Sequence, residues 1–253
     1  VARLDEQVID PGAVLAALAG QCEGHVCQVH PATGLSWELS GPGMVREVTL
    51  RAPGGGPELR VQPDRLVLTA GSGNGPLREQ LGLSGQAMQI RPLHMVLARG
   101  PAEGPGAMPV LNGHCVDGSR TRVTITTASD SAGRRVWQIG GEVAERGVSY
   151  TPRELIAHAK GETHASIPGL STSSFEWTTY RADRAEAATG GRRPEDASVR
   201  VEGDVITAWP TKLALAPRLA ELITEVVCRN PEPAPGSADE VSARLKDWPA
   251  PTV

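Results

Sequence analysis

No run of lysine or arginine longer than two residues occurs in this 253-residue chain, and its net charge is −4. A basic face for a phosphate backbone or an anionic lipid surface is therefore not expected. No apolar stretch approaches the roughly 20 residues that a membrane span needs, so a soluble protein is expected. Cys22, Cys27, Cys115 and Cys228 form no C-x-x-C pair and have no histidine at zinc-ligand spacing, so no metal site is expected. Reduced thiols in a cytoplasmic protein are the plain expectation. No basic segment followed by an apolar run marks a secretion signal. Internal repeats are absent too, and the chain starts Val1-Ala2-Arg3 with no methionine. On that ground a fragment or a processed product is expected.

What is present describes a globular chain. The hydrophobic share of 40% and charged share of 21% are those of packed domains. The length suits one large domain or two intergrown ones. Asp10-Pro11 opens a helical pattern, DPGAVLAALAG, as N-cap and first helical residue. From 26 to 70 the chain reads as a three-stranded meander of VCQVHPATGLSWEL, MVREVTLRAP and ELRVQPDRLVLTA, with glycine- and proline-rich turns between. A second β-rich block over 87–150 holds AMQIRPLHMVLAR, RTRVTITTA and RRVWQIGGEV. Its alternation from Arg122 to Thr126 is that of a half-buried strand.

Thr151-Pro152-Arg153-Glu154 is a capping box and predicts a helix through LIAHAKGE. SSFEWTTYRAD returns to strand character, 184–203 reads as a loop, and DVITAW as a short strand. Pro210-Thr211-Lys212 then opens the helical stretch LALAPRLAELITEVV, in which Pro217 sets a kink or a true start near 215. Ser237-Ala238-Asp239-Glu240 predicts a last helix with Val241, Leu245 and Trp248 on one face. The order is that of a mixed α/β (α+β) fold in which a β-rich insertion interrupts a layered domain. The expected boundaries are 1–86, 87–185 and 186–253.

One stretch raises the question of chemistry. RLVLTAGSGNGPL (65–77) runs an apolar strand into Gly71-Ser72-Gly73-Asn74-Gly75-Pro76, and the helical LREQLGL follows. A dinucleotide-binding turn needs G-x-G-x-x-G between strand and helix, with an acidic residue about 20 positions on. Here Pro76 stands where a third glycine would let the helix pack closely, and Ile90-Arg91-Pro92 stands where the acid is needed. The meander upstream is also the wrong neighbour for a first Rossmann strand. This is not the primary fingerprint.

Five motifs nevertheless occur in a meaningful order: LVLTAG (66–71), QIRPLHMVLA (89–98), RVWQIGG (135–141), WTTYRADR (177–184) and AWPTKLALAPRLAE (208–221). Together they resemble the later two-thirds of FAD-dependent oxidoreductases of the D-amino-acid oxidase/glycerol-3-phosphate dehydrogenase superfamily. The resemblance covers nearly the whole chain. It implies a partial FAD-binding, Rossmann-like domain interrupted by a β-rich substrate domain. It also implies oxidation of a C–H next to an amine or hydroxyl in a small acidic substrate, with hydride passing to flavin N5.

On this resemblance Ala70, Gly71 and Ser72 end a strand that returns to the flavin, where small residues let the backbone approach. Pro210, Thr211, Lys212 and Leu213 correspond to the family's Gly-Gly-Lys-Leu-Thr-Thr-type turn beside the flavin pyrimidine. A helix N-terminus and a lysine there would stabilise negative charge at N1/O2. Arg181 corresponds to the arginine of the family's Gly-x-Arg-Pro strand and would take a carboxylate or phosphate of the substrate. His94 would lie near the ring face as a general base, and His114 is an equivalent candidate. His158 and His164 read as residues of the surface helix and its loop.

Two departures matter. Tyr180-Arg181-Ala182 replaces Gly-Arg-Pro, and Trp209-Pro210-Thr211-Lys212-Leu213 replaces Gly-Gly-Lys-Leu. They leave open an alternative, a non-catalytic binding or assembly module that keeps the flavoenzyme scaffold. The family's N-terminal β-α-β with G-x-G-x-x-G is not found before residue 65. The resemblance thus implies an N-terminal FAD-binding segment as a partner, without which the ADP half of FAD lacks its main anchor.

Overall fold

The computed structural model describes residues 8–22, 24–118 and 120–228, together with 243, 245 and 248. Among them are three sheets and five α-helices, a mixed α/β arrangement. Contacts divide the chain into two units, Arg91–Arg184 in one and Ile9–Ile90 with the chain from Ala185 in the other.

The first unit is built on a five-stranded sheet. Its strands are β5 (Met88–Gly100), β6 (Gly113–Asp117), β7 (Arg120–Ser129), β8 (Arg135–Gly140) and β9 (Glu176–Ala187), in the order β6-β7-β8-β5-β9. The expected alternation in β7 is realised, with Val123 and Ile125 buried. Pro92, which has no N–H to give a ladder, falls before β5 meets β8, whose pairing begins at Val96. Behind the sheet runs α4 (Pro152–Ser166), which buries Leu155, Ala159 and Thr163 on one stripe. Trp137 and Phe175 close the core edge to face, 5.5 Å between centroids. The capping box forms as the sequence predicts: Thr151 Oγ1 accepts from Glu154 N–H, and the Glu154 carboxylate accepts from Thr151 N–H at 2.8 Å. That backbone N–H holds the Glu154 carboxyl below the usual carboxylate range. β6 is a strand that sequence patterning does not reveal.

The second unit holds two small sheets. Helix α1 (Pro11–Gln21) is capped by Asp10, whose Oδ1 accepts from Ala13 N–H at 3.0 Å. The meander is real but shorter than expected: β1 (Leu35–Gly41), β2 (Met44–Arg51) and β3 (Glu58–Val61) pair in sequence. Residues 26–30 stay out of it. Nδ1 of His30 accepts from Ala32 and Thr33 N–H, a local turn that competes with a ladder. At the other end Pro63 lies between β3 and β4 (Leu66–Leu68), and β4 leaves the meander. It pairs instead in parallel with β11 (Val205–Trp209), the strand read from DVITAW. β10 (Ser198–Glu202) completes the order β10-β11-β4. All five residues of β11 are buried, the continuous apolar run of a strand covered on both faces. Helix α5 (Ala216–Cys228) packs on β10 and β11, with Pro217 in its first turn.

Two turns fix the start of this parallel pair. Gly43 (φ +70°) in the β1–β2 turn and Gly203 (φ +63°) in the β10–β11 turn press backbone on backbone. A Cβ on Gly203 would lie 2.6 Å from Gly43 O, and one on Gly43 would lie 2.7 Å from Glu202 O, so only glycine fits either place. Asp204 then joins the pieces. Its N–H donates to Gly43 O, its carbonyl accepts from Leu66 N–H, and its carboxylate accepts from Val45 N–H and pairs with Arg65. Beside it, helix α2 (Asn74–Gln80) buries Arg78 completely. That guanidinium donates to Ser84 O and Thr207 Oγ1, both at 2.8 Å, and pairs with Glu202 at 2.6 Å.

The last helix expected around 237–248 falls largely outside the described residues. Trp248 is described: it is buried and donates from Nε1 to Gln28 O at 2.7 Å.

Because Glu202 keeps some solvent contact and Arg78 has none, the two halves of the ion pair are unequal. Removing one partner of a buried pair costs about 3–5 kcal/mol when a charge is left stranded. Glu202→Gln is expected to fall in that range, and Arg78→Met to be destabilising as well, because Ser84 O and Thr207 Oγ1 lose their donor although Glu202 keeps some solvent. Chemical denaturation of both variants checks this, and stability unchanged in either would overturn the role given to the pair.

Candidate functional site

In a parallel pair the carboxyl ends lie at the same edge, and that edge is where open α/β sheets place ligands. The register Leu66↔Val205, Val67↔Ile206 and Leu68↔Thr207 therefore brings Ala70, Gly71 and Ser72, which follow β4, alongside Pro210, Thr211 and Lys212, which follow β11. Residues far apart in the chain, singled out on separate motifs, share one edge of one sheet.

Asn74 holds that edge together, and sequence reasoning missed it. The side chain is fully buried. Its Oδ1 accepts from Ala70 N–H at 2.8 Å, and its Nδ2 donates to Ala208 O at 3.2 Å. One carboxamide thus joins the chain just past β4 to the end of β11. Gly71 starts a 3-10 turn over Gly71–Gly73 at φ +59°, and a Cβ there would meet nothing within 4 Å. The glycine is required by its backbone conformation, and it borders open space.

The β11 side carries the one positive φ that is not glycine among the described residues, Thr211 at +58°. Around it Lys212 N–H donates back to Pro210 O at 2.6 Å, a three-residue turn, and Thr211 Oγ1 donates to the same oxygen. Such a conformation costs about 1–3 kcal/mol and persists where surrounding structure imposes it. Of the two helix starts that the sequence allows, the structure takes the later one, near 215, so no α-helix N-terminus falls at Lys212. A 3-10 turn over Leu213–Leu215 comes first, and α5 begins at Ala216. Lys212 is exposed beside the exposed Leu213 and presents an ammonium there.

A third segment reaches the same edge. β10 pairs antiparallel with β11, and Ser198 lies opposite Trp209, so the chain entering β10 arrives where Pro210–Lys212 departs. That chain contains Gly191-Arg192-Arg193-Pro194, the Gly-x-Arg-Pro pattern itself, five positions before β10 at Arg193. The pattern is visible in the sequence, within the stretch 184–203 that reads as a loop. Arg192 and Arg193 are exposed, and among the described residues neither has an ion-pair partner.

The remaining candidates lie in the other unit. His94 is buried, with Nδ1 2.9 Å from Gly147 O and Nε2 3.0 Å from Thr179 Oγ1. A carbonyl only accepts, so Nδ1 carries the proton and Nε2 accepts from the threonine hydroxyl. Both ring nitrogens are therefore in use. Arg181 is exposed on β9 and donates from Nη1 to Val148 O at 3.2 Å. Strand alternation puts Trp177 on its face and Tyr180 on the other. His114 and His164 are exposed, and His158 packs edge to face on Tyr150.

No protein-family model matches the chain. A "probable FAD-dependent oxidoreductase" of Pseudomonas aeruginosa is 40% identical over 171 residues, which make up 66% of this chain and 42% of that protein. The crystal structure of that oxidoreductase matches with a TM-score of 0.72 at 30% identity, over 91% of this chain and 64% of the crystallised one. The chain thus spans less than half the length of the curated relative and under two thirds of the crystallised chain. Sequence and fold alike relate it to a FAD-dependent oxidoreductase.

Truncating Asn74 strands Ala70 N–H and Ala208 C=O in a buried place, at about 1–3 kcal/mol for each group left unpaired. Asn74→Ala is expected to lower Tm accordingly. Asn74→Asp is expected to lower it further at neutral pH, because an acceptor then faces the Ala208 carbonyl. Calorimetry on the two variants checks both, and a Tm unchanged in Asn74→Ala would remove this residue from its role.

Proposed function

We propose that this chain forms part of the FAD and substrate site of an oxidoreductase that oxidises a C–H next to an amine or hydroxyl in a small acidic substrate. The observation that carries the reading is the shared carboxyl edge of β4 and β11, with Gly71, Thr211 and Lys212 along it. The residues present fit FAD. Gly71 borders open space that a planar ring or a phosphate can enter, while Lys212 and Leu213 offer an ammonium beside an apolar side chain. FAD, when bound, supplies the hydride acceptor, flavin N5.

The roles of this chain's own residues follow from their chemistry. Ala70, Gly71 and Ser72 admit the cofactor close to backbone. Pro210, Thr211, Lys212 and Leu213 line its pyrimidine side, where the Lys212 ammonium offsets negative charge that develops on reduction. Arg181 orients the acid group of the substrate. A second reading gives that task to Arg192 and Arg193, because they stand in the Gly-x-Arg-Pro pattern and enter β10 beside Thr211. His94 Nε2 can take a proton if the Thr179 hydroxyl turns from donor to acceptor. The pyrophosphate of FAD is held by an N-terminal segment with a G-x-G-x-x-G turn, as the family resemblance implies. The four cysteines are free, which supports a reducing, cytoplasmic setting, and no described helix is long and apolar enough to cross a membrane.

The test is spectroscopic. Protein produced from the complete coding sequence is expected to purify with a bound flavin absorbing in the visible, and a colourless protein that takes up no added FAD overturns the reading. Lys212→Ala is expected to retain flavin but lower its reduction potential. Turnover and potential unchanged in Lys212→Ala and Arg181→Ala would favour a non-catalytic binding module.

A further inference from the structure

The turn that carries Arg192 and Arg193 has few apolar residues and no regular ladder of its own, yet one side chain organises it. Gln89, near the start of β5, spends its whole carboxamide there. Oε1 accepts from the N–H groups of Thr189 (3.0 Å) and Gly191 (2.9 Å). Nε2 donates to Arg192 O (2.6 Å), to Thr189 Oγ1 (3.2 Å) and to Glu186 Oε2 (3.4 Å). The partners fix which end is which, since two backbone N–H groups can only donate and a carbonyl can only accept. The Thr189 hydroxyl also donates to Arg192 O. Ala188 N–H donates to Ala87 O at 3.0 Å, so residues 188–192 are laced to 87–89 much as a strand would be. Gly190 (φ +67°) and Gly191 (φ +82°) supply the two left-handed residues the turn needs.

The consequence lies in the guanidiniums. Both are exposed and unpaired among the described residues, although Glu195 and Asp196 follow closely. At most about 17 Å of chain separates Arg193 from Ser198, the residue paired with the end of β11. A free loop would have to be ordered by whatever anion it bound, and that cost would be subtracted from affinity.

We propose that Gln89 is a positioning residue: its carboxamide holds the Thr189–Arg192 turn so that Arg192 and Arg193 are presented, already ordered, to a carboxylate at the carboxyl edge of β11. The inference rests on the second reading above, in which this turn receives the acid group of the substrate. Gln89 touches neither cofactor nor substrate. It acts through the turn.

Two measurements test it, one of which needs no flavin. Trypsin cuts between Arg192 and Arg193 but not between Arg193 and Pro194, so the rate of that single cut reports the order of the turn. In the wild-type chain the cut is expected to be slow and further slowed by sulfate. In Gln89→Ala and Gln89→Glu it is expected to be fast, with the protecting sulfate concentration raised about tenfold, the equivalent of about 1.4 kcal/mol, at unchanged Tm. Gln89→Glu keeps the acceptor and loses the donor, so it separates the bond to Arg192 O from a loss of packing. An unchanged cutting rate and sulfate midpoint in both variants would overturn the proposal.

The second measurement uses the flavin-loaded protein, with acetate and inorganic phosphate titrated against the visible flavin band. Gln89→Ala is expected to weaken the acetate response about tenfold with flavin content unchanged. Loss of flavin from Arg193→Ala, or a response to phosphate alone, would mean that the turn grips the cofactor phosphates and would overturn the assignment to substrate. A protein that holds no flavin sinks the functional reading but leaves the trypsin result standing on its own.

Discussion

Everything at the candidate site depends on two short strands from distant parts of the chain lying parallel. β4 contributes three residues to that pairing, too few to hold on ladder bonds alone. The pair is therefore fastened at both ends. At the amino edge Asp204 ties the β1–β2 turn, β4 and β11 through its backbone and carboxylate, over the glycine contact that admits no side chain. At the carboxyl edge Asn74 joins the strand ends, and between them Arg78 spans from α2 to Thr207 and Glu202. Polar side chains do this work in a buried place, where each bond counts for more and each orphan costs more than it would in water.

How much of this was legible depended on how local the cause was. Asp10, the Thr151–Glu154 box, the alternation in β7 and the apolar run of β11 are local signals, and each formed as patterning requires. The resemblance selected Ala70–Ser72 and Pro210–Leu213 from separate motifs. Composition alone could not say that they share an edge, since parallel pairing leaves no short-range mark. ELRVQPDRLVLTA reads as one strand, whereas the structure divides it into β3 and β4 on either side of Pro63, which has no N–H to give a ladder. Asn74 stands in a glycine-rich turn, where nothing local distinguishes it from any other polar residue. Gln89 sits in a strand motif, and nothing near it in sequence announces a partner a hundred positions away.

The arginine question shows the same division. By the order of the motifs Arg181 corresponds to the family's arginine, yet the literal Gly-x-Arg-Pro stands further on, at Gly191–Pro194, in a stretch that reads as a loop. Glycine and proline content identifies a segment without a regular ladder; it does not identify a segment without order. Here a single carboxamide replaces the ladder. His94 gives the converse lesson: a histidine in a strand motif invites a chemical role, while its two hydrogen bonds describe a residue that closes a core.

Asn74 is followed by Gly75, the neighbour with which an asparagine side chain closes most readily onto the next backbone nitrogen and sheds ammonia. In the folded chain both ends of that carboxamide are held and Gly75 is helical and buried, so the ring cannot form. Each excursion to an open state exposes the pair to that chemistry, and the product is a carboxylate where Ala208 requires a donor. The joint between the two strands thus keeps a record of the time the molecule has spent open, and because that ring closure is slow beside reclosing, its working life follows the free energy of opening.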